Sequence, residues 1–218
     1  MEAPRSVSAY HETRLAPDPR RASVWKALWR YYFRHRIKRS DSVLDLGSGY
    51  GDFINNVVAA KRVAIDVWPG FTAHLDGGIE AIIGPVTDLS RIADGSIDYA
   101  FASNLFEHLT QQEFADVLSS LRSKLSLAGS LTILQPNYRY AYREYFDDYT
   151  HVSIYSHISL CDFLRANGFE PVEVRRRFLP LTMKSRLPAW GPLIGLYLAS
   201  PVKLLGKQML VRAVPRRP

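Results

Sequence analysis

The chain has 218 residues, enough for one sizeable α/β domain and too few for two full ones. An apolar fraction of 47% and a charged fraction of 22% are those of a globular protein and exclude a disordered or fibrous chain. The formal charge of +7 invites an anionic partner, but the basic residues gather at the two ends of the chain and no nucleic-acid recognition module is legible, so nucleic acid is not the expected partner.

In chain order, residues 1–22 hold Pro4, Pro17 and Pro19 without periodicity and read as an irregular arm. Val24, Trp25, Leu28, Trp29, Tyr32 and Phe33 then recur at helical spacing, which predicts an amphipathic helix over 22–37. Short β-branched runs follow at 42–46, 62–66, 81–83, 97–102 and 131–135, alternating with helical stretches at 52–60, 71–75 and 111–127. A helix over 156–167 ends at Gly168, and two further strands are expected at 171–178 and 208–214. The expected fold is a Rossmann-like, doubly wound, mostly parallel seven-stranded sheet with an antiparallel final strand. It forms a single domain: an arm and helix at 1–40, a core at 41–178, a hydrophobic insertion at 179–207, and a last strand and tail at 208–218.

One cysteine, Cys161, allows no internal disulfide, and the start of the chain is too charged to be a signal peptide. A cytoplasmic protein is expected. The most apolar stretch, 187–205, is broken by Pro188, Gly191, Pro192, Gly195, Pro201 and Lys203 and is not a membrane span. Its apolar residues flanked by Lys184, Arg186, Lys203 and Lys207 suit an active-site cover, a homodimer contact or peripheral contact with a membrane.

The segment Val43-Leu44-Asp45-Leu46-Gly47-Ser48-Gly49-Tyr50-Gly51 is a buried strand running into a glycine turn. A nucleotide-phosphate loop needs a Lys and a Ser or Thr after its last glycine, and Asp52-Phe53 stands there instead. A dinucleotide pyrophosphate would meet Asp45 and Asp52 where it requires donors. A cationic, zwitterionic ligand suits those carboxylates better. Asp66, closing the second strand, stands where a carboxylate accepts from ribose hydroxyls, with Val67 and Trp68 beside it.

The run Asp45-Leu46-Gly47-Ser48-Gly49-Tyr50-Gly51 resembles the acidic-x-Gly-x-Gly-x-Gly signature of class I S-adenosylmethionine-dependent methyltransferases. That resemblance implies S-adenosyl-L-methionine as cofactor, with Asp45, Gly47, Ser48, Gly49 and Gly51 along its amino-acid part. Gly84-Pro85-Val86-Thr87-Asp88 follows the third strand with Pro85 in place of the family's aspartate, which shifts the expected adenine contact to Val86 or Asp88. Asp94 to Leu109 resembles the family's fourth-strand segment and places Ser103 and Asn104 at the site, while Glu107-His108 begin the next helix as polar contacts or as chemistry. The lead-in around Arg14, Arg20 and Arg21 also resembles the family, and Arg14 is the candidate partner of the cofactor carboxylate.

Between 138 and 151 stand five tyrosines, Asp147, Asp148 and His151, a composition that fits a substrate lid. Glu144 to Val152 resembles an Asp-Asp-Pro-Thr-His segment of bacterial glycan and secondary-metabolite methyltransferases, with Tyr149 replacing the proline. His151 is the expected general base, oriented by Asp147 or Asp148; the competing reading is that the three only tie the loop in place. The same three suit a divalent metal by type, but no further ligand is legible and no metal is assigned. The expected reaction is methyl transfer to a small molecule, a hydroxyl of a sugar or of a glycan or secondary-metabolite precursor, anionic or lipid-linked. RNA or protein methylation, and a catalytically silent binding protein on the same fold, are the alternatives.

Overall fold

The structure is a computed structural model that describes residues 19–180, 190–203 and 205–217. Its helix α1 (Pro19–Tyr31) leads into seven strands, β1 (Ser42–Leu46), β2 (Lys61–Asp66), β3 (Glu80–Ile83), β4 (Ile97–Ser103), β5 (Leu125–Pro136), β6 (Phe169–Leu179) and β7 (Gln208–Pro215). These form one sheet in the order β3-β2-β1-β4-β5-β7-β6. All pairs from β3 across to β5 are parallel, and β7 lies antiparallel between β5 and β6. The chain runs outward from β1 to β3, then returns to the other side of β1 as β4. That reversal opens a crevice at the carboxyl ends of β1 and β4, where open α/β sheets take their ligands.

Both faces of the sheet are covered. On one, α2 (Gln111–Lys124) and α4 (His157–Ala166) bury Phe114, Leu118, Leu121, Leu160 and Leu164 against the strands. On the other, α1 and α5 (Gly191–Ala199) pack with Leu28, Phe33, Phe53, Phe101 and Leu198. Gly195 lets α5 approach α1 closely, since a Cβ there would lie 3.0 Å from the Tyr31 ring. The four-residue helix α3 (Tyr138–Ala141) leaves β5. Capping boxes start α2 at Thr110/Glu113 and α4 at Ser156/Ser159. Gly168, at φ +81, turns the chain out of α4 into β6.

Several expected boundaries move for identifiable reasons. The predicted helix 22–37 stops at Tyr31 and gives way to a 3-10 turn, Phe33–His35, because Tyr32 and Phe33 both turn inward to the core. The helix expected over 52–60 shrinks to the 3-10 turn Ile54–Asn56. There the Asn55 and Asn56 side chains bond the His74 carbonyl, the Asp76 amide and the Asp52 carbonyl, competing with helical hydrogen bonding. Residues 71–75 fall within a longer 3-10 run, Pro69–His74. Helix α2 ends at Lys124 rather than 127, and β5 begins at once, reaching Ile97 across a register shift in the β4–β5 ladder. Arg14, Lys184 and Arg186 lie outside the described residues.

Candidate active site

Leaving β1, the chain folds back over the end of β2. The amides of Gly47 and Ser48 both donate to the Ile65 carbonyl, at 2.9 and 3.2 Å, and the Gly51 amide closes onto the Ser48 carbonyl at 2.9 Å. The turn holds Gly47 and Gly49 at φ +68 and +53, a region that side chains avoid. Asp66 fixes the loop from below: Oδ2 accepts the Gly49 amide at 2.8 Å and Oδ1 the Trp68 amide at 2.9 Å. Beneath it Asp45, 3% exposed, accepts the Ser48 hydroxyl at 2.8 Å. Burial pushes the Asp45 carboxyl up to about 8, the Ser48 hydrogen bond partly offsets this, and the nearby carboxylates of Asp66 and Asp52 add to it.

A cavity of about 580 Å³ opens over these groups. Asp45, Gly47, Ser48, Gly49, Asp66 and Val67 line it on the loop side, and Pro85, Val86 and Thr87 beyond β3. Trp25 of α1, Phe53 and Phe101 form an aromatic wall, with Trp25 edge-on to Phe101 at a centroid distance of 5.9 Å. Ser103 and Asn104, at the end of β4 beside the glycine turn, also line the cavity, as do His108 and Thr150. Asn104 is held at φ 49 with its amide on the Leu134 carbonyl and its side-chain oxygen accepting the Gln208 amide at 3.0 Å.

The remaining sequence candidates stand outside the cavity lining. Gly51 is a packing position, where a Cβ would lie 2.9 Å from both Asn55 and Leu75. Trp68 stacks on His74 at 5.5 Å and meets Tyr50 edge-on. Asp88 accepts from Ser90, which holds its carboxyl below the ordinary range. Asp147 is exposed.

The segment 145–153 docks on the 3-10 turn Phe106–His108 at the end of β4. The amides of Val152 and Ser153 both donate to the Glu107 carbonyl, at 2.9 and 3.1 Å. Asp148 Oδ1 accepts the Thr150 hydroxyl at 2.6 Å and the Thr150 amide at 3.1 Å. The Thr150 oxygen lies 2.9 Å from His108 Nδ1. His151 is behind His108, their ring centroids 4.8 Å apart, and its Nδ1 is 2.6 Å from the Tyr145 carbonyl. Burial, then the adjacent His151, hold His108 well below the usual histidine range, so its ring is neutral near pH 7. Glu107, His108 and His151 each bring a metal-ligand type of atom to within 4.8 Å of the others.

Two groups that the sequence named without assigning them a role stand at the cavity. Arg21, on the first turn of α1, pairs with Asp52, and its Nη1 is buried without a hydrogen-bond partner beside the cavity. His108, adjacent in sequence to the Asn104 segment, reaches the cavity that His151 does not line.

A family model described as "Methyltransferase domain" matches residues 18–174. A SAM-dependent methyltransferase from Archaeoglobus fulgidus is similar in structure, with a TM-score of 0.68 at 19% identity over 96% of this chain and 99% of that one. The 1,6-didemethyltoxoflavin-N1-methyltransferase of Burkholderia thailandensis, with its acceptor and S-adenosylhomocysteine bound, superposes with a TM-score of 0.63 at 18% identity, covering 97% of this chain and 86% of that one. Geranyl diphosphate C-methyltransferase from Streptomyces coelicolor A3(2), in complex with Mg2+, geranyl diphosphate and S-adenosyl-L-homocysteine, gives 0.57 at 14% identity, over 83% and 72%. No curated protein sequence matches. The glycine loop, the switch-point cavity and the family match converge: the chain belongs to the methyltransferase-domain family and is a class I S-adenosylmethionine-dependent methyltransferase.

Proposed function

We propose that the enzyme methylates a hydroxyl of a small molecule, a sugar or a glycan or secondary-metabolite precursor, at the end of the cavity formed by His108 and Thr150. The observation that carries this reading is continuity: one cavity joins the glycine loop to a neutral imidazole. The residues present fit S-adenosylmethionine. Asp52 offers negative charge to a ligand bearing an ammonium and a sulfonium, Asp45 offers a carboxyl that such a cation would draw into its ionised form, and the unpartnered Nη1 of Arg21 suits the ligand's carboxylate. Asp66 keeps lone pairs for ribose hydroxyls beside its two amide bonds, and Val67, Pro85 and Val86 supply an apolar slot for a base. Arg21 is the proposed partner of that carboxylate among the described residues, and Arg14, the sequence candidate, lies outside them.

When bound, the cofactor would supply an electrophilic methyl carbon to an acceptor hydroxyl positioned by this chain's residues. His108 and Thr150 stand where the hydroxyl gives up its proton, with His151 as the second imidazole of the same centre. Asp148, through Thr150, holds His108 in one tautomer. The aromatic wall of Trp25, Phe53 and Phe101 keeps water from the reacting carbon. Residues 190–203, with Trp190 and Leu196 exposed and with Ser200 and Lys203 sharing a hollow with Arg175, Arg176 and Arg177, are proposed to rest on an anionic surface that presents a lipid-linked acceptor.

Calorimetry with S-adenosylhomocysteine tests the donor half, and no heat of binding overturns it. On an acceptor found by labelling a fractionated extract, His108→Ala is expected to lower turnover by about a hundredfold or more while leaving S-adenosylhomocysteine affinity within about threefold. Unchanged turnover, or label entering only RNA or protein, defeats the acceptor half.

A further inference from the structure

Glu107 has a fully buried carboxylate, 0% exposed, and neither oxygen is hydrogen-bonded to another residue. An ionised carboxylate is strongly disfavoured in such a place, so it ordinarily holds a donor, a proton or a cation. Its neighbours within 4.8 Å are the ring nitrogens of His108 and His151.

The tautomers of both rings follow from their partners. A carbonyl oxygen only accepts, so His151 Nδ1, at 2.6 Å from the Tyr145 carbonyl, carries the hydrogen and leaves the lone pair on Nε2. Thr150 gives its hydroxyl hydrogen to Asp148 at 2.6 Å, so its oxygen accepts from His108 Nδ1 at 2.9 Å, again placing the lone pair on Nε2. Each imidazole is therefore oriented through Nδ1 by a carbonyl or by a carboxylate-linked hydroxyl. This is the supporting arrangement found behind metal-bound histidines.

We infer that Glu107, His108 and His151 form a binding site for one divalent first-row transition cation, held by two imidazole nitrogens and one carboxylate. Two nitrogens and one oxygen favour zinc, or another imidazole-preferring ion such as iron(II), over magnesium or calcium, which prefer all-oxygen shells. The set differs from the one legible in sequence, Asp147, Asp148 and His151. Asp147 is exposed, and Asp148 faces Thr150. Three protein ligands leave a coordination position open, and His108 also lines the cavity, so the cation would stand at the acceptor end. With the ion bound, His108 Nε2 is a ligand and takes no proton, so the proton-accepting role of His108 belongs to the ion-free protein. Ion binding itself does not depend on the methyl-transfer reading.

The test uses tag-free protein stripped with a chelator and titrated separately with Zn2+ and Co2+. One ion per chain is expected, with visible d–d absorption from cobalt in a nitrogen and oxygen site. His151→Ala and Glu107→Gln are each expected to weaken the ion by about tenfold or more and to change the cobalt spectrum. Cooperative thermal unfolding reports whether each variant folds; where Glu107→Gln does not, His151→Ala and its cobalt spectrum decide. Stripped wild-type protein that unfolds cooperatively yet takes up no stoichiometric ion overturns the site, as does ion binding that folded variants leave unchanged. S-adenosylhomocysteine binding on the same samples reports the donor reading separately.

Discussion

At the scale of single residues, Asp45 couples the stability of the ligand-free protein to its readiness for a cation. Its carboxyl is raised from 3.8 to about 8, so the folded state holds the proton more tightly than the unfolded chain. The linked stability is complete below about pH 4 and is lost as pH rises toward 8, because ionisation then occurs in a buried place. Asp45→Asn is therefore expected to raise Tm at pH 8, by about 2–4 °C for each kcal/mol recovered, with the gain vanishing near pH 4. The same substitution is expected to weaken S-adenosylhomocysteine. Thermal melts across that range with calorimetry check both, and a gain independent of pH defeats the account. Asp45, Asp66 and the loop glycines were legible because charge and backbone freedom are written in residue type. Arg21 and His108 were named from the sequence without an assigned role, because their places depend on α1 folding over the loop and on Thr150 turning His108, contacts separated by 31 and 42 positions in the chain.

At the scale of elements, the strands were readable because β-branched runs buried on both faces leave little choice, as in Val63, Ala64 and Ile65 of β2. The helix after the glycine loop was misread because the apolar residues Phe53, Ile54 and Val57 fit a helical period, while the two asparagines among them divert the backbone. Capping was clearer. Thr110 accepts the Glu113 amide at 3.2 Å and its own amide donates back to Glu113 at 2.8 Å. Glu113, only slightly buried, is held below its ordinary range first by the Thr110 amide and then by its hydroxyl. Thr110→Ala is expected to cost about 1 kcal/mol, read as a fall in denaturation midpoint, with S-adenosylhomocysteine affinity unchanged. A matching loss of affinity would mean that α2 positions the cavity rather than merely supporting the sheet.

At the scale of the molecule, the excess of positive charge visible in composition acquires a place. Arg175, Arg176, Arg177 and Lys203 surround one shallow hollow with Ser200, and Trp190, Leu196, Val202 and Leu205 stand 61–69% exposed in the flanking segment. Among the described residues no helix is long and apolar enough to cross a membrane. The proposed surface contact predicts sedimentation with phosphatidylserine vesicles but not with neutral ones, reduced by salt and by Trp190→Ser with Leu196→Ser. Equal recovery with neutral vesicles, or none with either, defeats it. The Glu107 carbonyl, which receives the amides of Val152 and Ser153, has a consequence at this scale too. The segment 145–153 is tied by these two bonds to the turn that ends a central strand, so the segment and the turn are expected to move together. New acceptors would then be reached by changing the stretch from Tyr138 to Arg143 and leaving the seam intact, and a graft of 145–153 into a relative would have to bring Phe106, Glu107 and His108 with it.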